Sequence, residues 1–274
     1  MLSAVGFGVS DFAGGIAARR VPALRVILLS YPVALVALGG LAFGVGGPIV
    51  PGALGWGAAC GVALGLGGWW FYAALGSGPI SVVSPLSAVL AAGVPMAAGL
   101  IQGERPGGMA MAGALLALVA VVLVSREATD EDVKPHRFTP DVAMLTLGAG
   151  TAFGLNFVFI AHAPADSGLW PLMFARAAAA ALAVTAAAAS GELRLPSGTA
   201  MKLALGAAAL DVGGNVAMLL ALRGSPLSLA SVLISLFPVV TVVLAIVVLR
   251  ERTHRGQVIG MVLAAVSVAM IATG

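Results

Sequence analysis

The stretch Pro79-Ile-Ser-Val-Val-Ser-Pro-Leu86 returns 147 positions later as Pro226-Leu-Ser-Leu-Ala-Ser-Val-Leu233. Pro79, Ser81, Ser84 and Leu86 fall on Pro226, Ser228, Ser231 and Leu233. Without a gap, the same offset carries Glu104-Arg105 onto Glu251-Arg252 and Gly113 onto Gly260. It also carries Leu116, Ala117, Val119 and Val121 onto Leu263, Ala264, Val266 and Val268. A match of this length at one fixed offset is a duplication, so the chain has two equivalent halves.

Composition sets the solvent in which those halves fold. Of the 274 residues, 60% are hydrophobic and 9% charged, and the mean hydropathy is +1.08. Too little polar surface is available for a water-soluble globule. Apolar stretches fill the chain from end to end, whereas a signal peptide would be one short stretch ahead of a soluble domain. The chain therefore reads as an all-α integral membrane protein. Its net charge of +3 comes from basic residues standing singly or in short clusters between apolar segments, which is the pattern of topology signals rather than of a nucleic-acid surface. Cys60 is the single cysteine, so no disulfide closes within the chain and no thiolate pair is available to a metal.

A helix needs about 20 apolar residues to cross the hydrocarbon. Gly, Pro and charge clusters divide the chain into ten such segments, near residues 1–18, 22–44, 52–75, 79–101, 107–125, 141–162, 169–189, 199–222, 226–249 and 256–273. Five fall in residues 1–125 and five in residues 141–274, separated by the polar linker 126–140, which carries Glu127, Asp130, Glu131, Asp132, Lys134, His136 and Arg137. An odd number of crossings per half makes the second copy enter the membrane in the opposite sense. The expectation is an inverted repeat, whose halves enclose a site near the midplane and alternate its access between the two sides. Gly61 and Gly65 form a GxxxG continued by Gly68, a surface for close helix packing. Segment seven is nearly pure alanine from Ala177 to Ala189, which suits a peripheral or tightly packed helix rather than one that recognises a solute.

The paired Pro-x-Ser-x-x-Ser-x-Leu starts, Gly103-Glu-Arg-Pro106, its counterpart Arg250-Glu-Arg252 and the five-plus-five count resemble the drug/metabolite transporter superfamily, and within it the EamA-type transporters. The resemblance implies a cavity surrounded by helices one, three, four, six, eight and nine, with two, five, seven and ten outside. It implies export of amino acids, other metabolites or drugs, by exchange against protons or by facilitated diffusion. Two features depart from it. Helix one begins at Met1 without a preceding tail, consistent with a late or truncated start. Eleven Lys and Arg lie in odd-numbered loops against Arg105 and Arg223 in even ones. Positive charge thus places the odd loops in the cytoplasm and both termini outside, where the family arrangement has both inside.

Charged side chains within apolar segments single out candidate functional residues, since each costs roughly 2.5 to 3.5 kcal/mol at a helix centre. Asp11, Asp211 and Arg176 are of this kind. The carboxylates either face an aqueous cavity, where they take a cationic group or a coupling proton, or one pairs with Arg176 across helices. Laying segment six on segment one through Phe153 on Phe7 and Gly154 on Gly8 sets Asn156 on Ser10, and the main offset sets Asn215 on Gly68. Trp69 and Tyr72, in the run Trp69-Trp-Phe-Tyr72, suit a mostly apolar pocket or an interfacial belt. Ser84 and Ser231 line the cavity or bond back to their own helices. Glu104 and Glu251 stand at helix ends beside arginines, the setting of solvated pairs.

No His-Glu-x-x-His, Gly-x-Ser-x-Gly or Walker motif is present. The expectation is therefore no enzyme, no cofactor, no metal and no ATP-driven pump. The reading is a monomeric transporter or facilitator of the plasma membrane, most simply an exporter of a small amphipathic solute, in contact with lipid and with coupling protons in some mechanisms. A membrane scaffold or receptor, and an embedded enzyme using Asp11 and Asp211 as an acid and base pair, are the competing classes.

Overall fold

The computed structural model describes residues 1–126, 138–234, 236–249 and 255–273, all helix and short connections. In chain order the helices are α1 Leu2–Ala18, α2 Ala23–Val45, α3 Pro51–Ser77, α4 Ile80–Ile101, α5 Gly108–Arg126 and α6 Pro140–Ala161. They continue with α7 Trp170–Ala189, α8 Gly198–Gly224, α9 Leu227–Ile234, α10 Phe237–Leu249 and α11 Arg255–Thr273, and a 3-10 turn at Ala165–Ser167 precedes α7. Among the described residues, seven spans are long and apolar enough to cross a membrane, with α9 and α10 counted as one and α1 falling among the shorter apolar helices.

Local chemistry explains the boundaries. Pro51, Pro140 and Pro171 occupy first-turn positions, where a missing N–H is no loss. The Thr139 side chain accepts from the Val142 amide at 3.3 Å and Asp141 adds a negative charge to that first turn. At the end of α2 the chain turns through Gly46 at φ +74°, a conformation that glycine adopts without steric cost.

The expected ninth segment is one candidate span, Leu227–Val248, in which a turn at Leu236 precedes α10. Pro238 lacks the N–H that would bond the Ile234 carbonyl, so a continuous ladder cannot form there. Thr241 Oγ1 approaches the Phe237 carbonyl at 3.2 Å and the Gly8 carbonyl at 3.1 Å, so a hydroxyl serves backbone oxygen at the crossing with α1.

Helix neighbours are set by small residues. A Cβ on Gly61 would stand 2.1 Å from the Ala175 carbonyl oxygen, and one on Gly57 2.8 Å from that of Pro171. The glycine face of α3 thus lets α7 approach to backbone contact, and the alanines of α7 do the same from the other side. α1 runs along α8 and α10, α2 lies against α7 and α8, α4 packs on α6, α9 and α5, and α5 packs on α11.

Glu104 has a role different from the solvated pair expected of it. Its two carboxylate oxygens accept from the amides of Leu227, at 2.7 Å, and Ser228, at 2.9 Å. These are first-turn donors of α9 that no carbonyl of its own helix can satisfy. The carboxylate caps the start of a helix from the other half of the chain, where the positive end of its dipole favours an anion. Glu251, its counterpart by offset, lies outside the described residues.

Candidate functional site

A cavity of roughly 700 Å³, its mouth included, opens where α1, α2, α3, α6, α7 and α8 meet the first residue of α10. Its charged groups are Asp11 of α1, Arg176 of α7 and Asp211 of α8. Arg176 is 1% exposed and its Nη2 donates to Asp211 Oδ2 at 2.5 Å. The guanidinium carbon lies 5.1 Å from the centre of the Tyr31 ring on α2, a second favourable contact for a cation out of water. Asp11, by contrast, has no ion-pair partner among the described residues.

Four polar neighbours, Ser10, Tyr31, Asn156 and Asn215, are held by backbone. Asn215 Nδ2 donates to the Asp211 carbonyl at 2.8 Å, one turn back along α8. Ser10 Oγ donates across to the Ala207 carbonyl at 2.9 Å. Asn156 Nδ2 lies 2.9 Å from Cys60 Sγ and 3.3 Å from the Cys60 carbonyl, joining α6 to α3. Tyr31 Oη donates to the Leu64 carbonyl at 3.2 Å. Space for that hydroxyl exists because residue 68 is glycine: a Cβ there would stand 1.8 Å from it. Aromatic rings supply the apolar lining. Phe71 meets Phe153 edge to face at 5.5 Å and Phe237 at 6.5 Å, geometries that aromatic pairs favour.

The duplication and the cavity coincide. Phe7, Ser10 and Asp11 of α1 align with Phe153, Asn156 and Phe157 of α6 at an offset of 146, and Leu64 and Gly68 of α3 align with Asp211 and Asn215 of α8 at 147. All ten residues line the cavity. One aligned pair is identical and four have diverged.

The sequence model of the EamA-like transporter family matches residues 1–126 and again residues 142–273. The chain belongs to the EamA-like transporter family. It is accordingly an integral membrane protein of a transporter family with a two-repeat architecture. A solved structure described only as "Crystal structure of protein" is similar over 99% of this chain and 98% of its own, with TM-score 0.70 and 17% identity, a likeness of fold alone. No curated protein matches this chain.

Relative to the arrangement that the resemblance implies, three helices differ. α2 contributes Ser30 and Tyr31 to the lining and α7 contributes Arg176, although both were expected outside; α4, expected inside, contributes no described residue. The reason is visible on α6, where a Cβ on Gly150 would stand 2.5 Å from the Ser87 carbonyl oxygen of α4. That face of α4 is committed to helix packing.

Six of the expected site residues, Ser10, Asp11, Tyr72, Asn156, Asp211 and Asn215, line the one cavity. Trp69, Ser84 and Ser231 do not. Trp69 packs half-buried against the core. Ser84 is buried without a hydrogen-bond partner for its hydroxyl among the described residues, and Ser231 Oγ donates back to the Ser228 carbonyl at 3.0 Å. Leu64, Phe157, Ser30 and Tyr31 escaped the sequence reading. The first two could have been found by applying the repeat offsets to Asp211 and Asp11.

Proposed function

We propose that this protein is a secondary transporter or facilitator that moves a small amphipathic organic solute, an amino acid or a drug-like compound, outward across the plasma membrane. The observation that carries this reading is the convergence of five aligned pairs, one member from each half, on a single cavity lined by both charged and aromatic side chains. Two inverted halves meeting at one site have two nearly equivalent packings, and exchange between them exposes the site to either side in turn. A scaffold gains nothing from carboxylates and a guanidinium placed at such a meeting point, since each is costly there. In this reading the chain crosses the membrane ten times, works as a monomer because it already contains both halves, and performs no covalent chemistry. Transport runs down the solute gradient or against a flow of protons.

The test is an untargeted comparison of metabolites in the medium of cells expressing the chain, an Asp11→Asn/Asp211→Asn variant at matched abundance, and neither. Accumulation of a compound outside only with the unmodified chain supports export through this cavity. Equal profiles for the chain and its variant, both different from cells without it, would remove the two carboxylates from the mechanism. Equal profiles in all three would contradict export.

A further inference from the structure

α2 and α7 belong to different halves and are joined along their whole length. Near one face Arg25 Nε, in the first turn of α2, donates to Glu192 Oε2, just past the end of α7, at 2.7 Å. Near the opposite face Trp170 Nε1, at the start of α7, donates to the Gly47 carbonyl, just past the end of α2, at 3.0 Å. The backbones interlock there as well, since a Cβ on Gly168 would stand 2.3 Å from the Gly46 carbonyl oxygen. Between the two ends the Arg176 guanidinium of α7 lies over the Tyr31 ring of α2. Ties of start to end in both directions make the pair antiparallel. The offset of 146 that aligns α1 with α6 sets Arg25 on Pro171, one residue from Trp170, and Gly47 on Leu193, one residue from Glu192. The end ties thus occupy equivalent places in the two halves, and helices pinned at both ends keep their separation whichever face opens.

α4 and α9 also belong to different halves, but their tie is of another kind. The chain leaves α4 through Gly103 at φ +93°, and the Glu104 amide donates to the Gly99 carbonyl at 3.0 Å, closing a left-handed glycine turn at the helix end. That turn sets the Glu104 side chain against the first turn of α9, where its two oxygens accept from the amides of Leu227 and Ser228. A Cβ on Gly99 would stand 3.2 Å from the Ser228 nitrogen, so the last turn of α4 meets the first turn of α9 at backbone distance. Hydrogen bonds to a carboxylate are strong at about 2.7–2.9 Å and are lost over a small further separation. Both therefore break together once the helix ends part.

We infer that α2 and α7 form a fixed spine about which the two halves turn, and that the Glu104 carboxylate on the amides of Leu227 and Ser228 is a latch holding closed the face where α4 ends and α9 begins. The inference rests on the alternating-access reading of the cavity and assigns its fixed and moving parts. Opening at the latched face uncaps α9; opening at the other face leaves the cap made.

The experiment uses the full chain in lipid nanodiscs with nitroxide labels on pairs of introduced cysteines, the native Cys60 being buried, and reads separations by double electron–electron resonance. The latch pair is Gln102 with Ser225; the spine pairs are Ile49 with Ala165 at one end and Pro22 with Ala189 at the other, all exposed positions. In the unmodified chain the latch pair is expected to show a main short separation and a minor long one. Glu104→Ala should raise the ratio of long to short about tenfold, the size of one lost charge-assisted hydrogen bond, and Glu104→Gln, which keeps one acceptor oxygen, should raise it less. Both spine pairs should keep one separation throughout, and Trp170→Phe, which deletes a spine bond, should leave the latch ratio unchanged. A merely structural cap would lower stability without moving that ratio. Equal ratios in the unmodified chain and both Glu104 variants overturn the latch, and a second separation in either spine pair overturns the spine. In both cases two populations at the latch pair leave alternating access standing, whereas a single separation there in every form counts against alternating access itself.

Discussion

The two halves of this chain keep several residues outside the cavity identical and differ at four of the five aligned pairs that line it. Offset-matched residues such as Pro79 and Pro226, Gly113 and Gly260, or Leu116 and Leu263 are identical, and none lines the cavity. At the cavity, Asp11 aligns with Phe157, Leu64 with Asp211, and Gly68 with Asn215. The glycine face of α3 is also one-sided: Gly57, Gly61 and Gly65 fall on Ala204, Ala208 and Val212 in α8. Duplication supplied a scaffold in which every cavity position occurs twice, and divergence made the pocket asymmetric. An asymmetric pocket can distinguish the two ends of a solute, which two identical walls cannot.

Substitutions that make the halves alike test this directly. The largest effect is expected from Asp211→Leu, which copies Leu64 into α8. It strands the guanidinium of Arg176 without its partner, and breaking a buried pair in this way costs about 3–5 kcal/mol, read as a fall in the thermal unfolding midpoint in detergent. The double variant Arg176→Met/Asp211→Leu should recover most of that stability, because a well-packed apolar pair replaces a buried ionic one at little net cost. It should not recover transport. Gly61→Ala, which copies Ala208 into α3, comes next. The added methyl meets the backbone of α7 rather than a side chain that can swing away, and overpacking of this kind costs about 1–3 kcal/mol. Glu104→Ala removes the cap of α9 and should cost roughly 1 kcal/mol in the same assay, with a smaller loss for Gln. Smallest is Gly213→Ala in α8, where no atom lies within 4 Å of the new methyl; its stability should stay within about 0.5 kcal/mol of the original. A large loss there together with none at Gly61 would break the assigned packing of α3.

The duplication, the apolar segments and most polar cavity residues were legible in the sequence, because a repeated pattern and a charge in hydrocarbon are both costly to maintain without use. Arg176 was legible as unusual but not as part of the cavity. The alanine run that follows it suggested a bland outer helix, while its physical effect is to let α7 close onto α3 until a long side chain reaches the centre. Tyr31 gave a weaker signal, one of two adjacent hydroxyls inside an apolar helix, and the glycine that makes room for it stands 37 positions away at Gly68. Trp69 and Tyr72 looked equivalent in a run of aromatics. Standing three apart they share roughly one helix face, and only Tyr72 lines the cavity while Trp69 packs against the core. The turn before α10 was hidden for another reason: Pro85 and Pro95 sit within α4 while Pro238 follows the turn at Leu236, so a proline alone does not mark a break.

The central claim is that matched positions of the two halves share one cavity whose access alternates. The most direct test places single cysteines at Phe7 and at Phe153, the identical aligned pair, and measures labelling by a membrane-impermeant thiol reagent added to either face of oriented vesicles. The account predicts that each position reacts from both faces, and that a bound solute slows the reaction at both. No reaction at either position, or reaction from one face alone with and without solute, would contradict it.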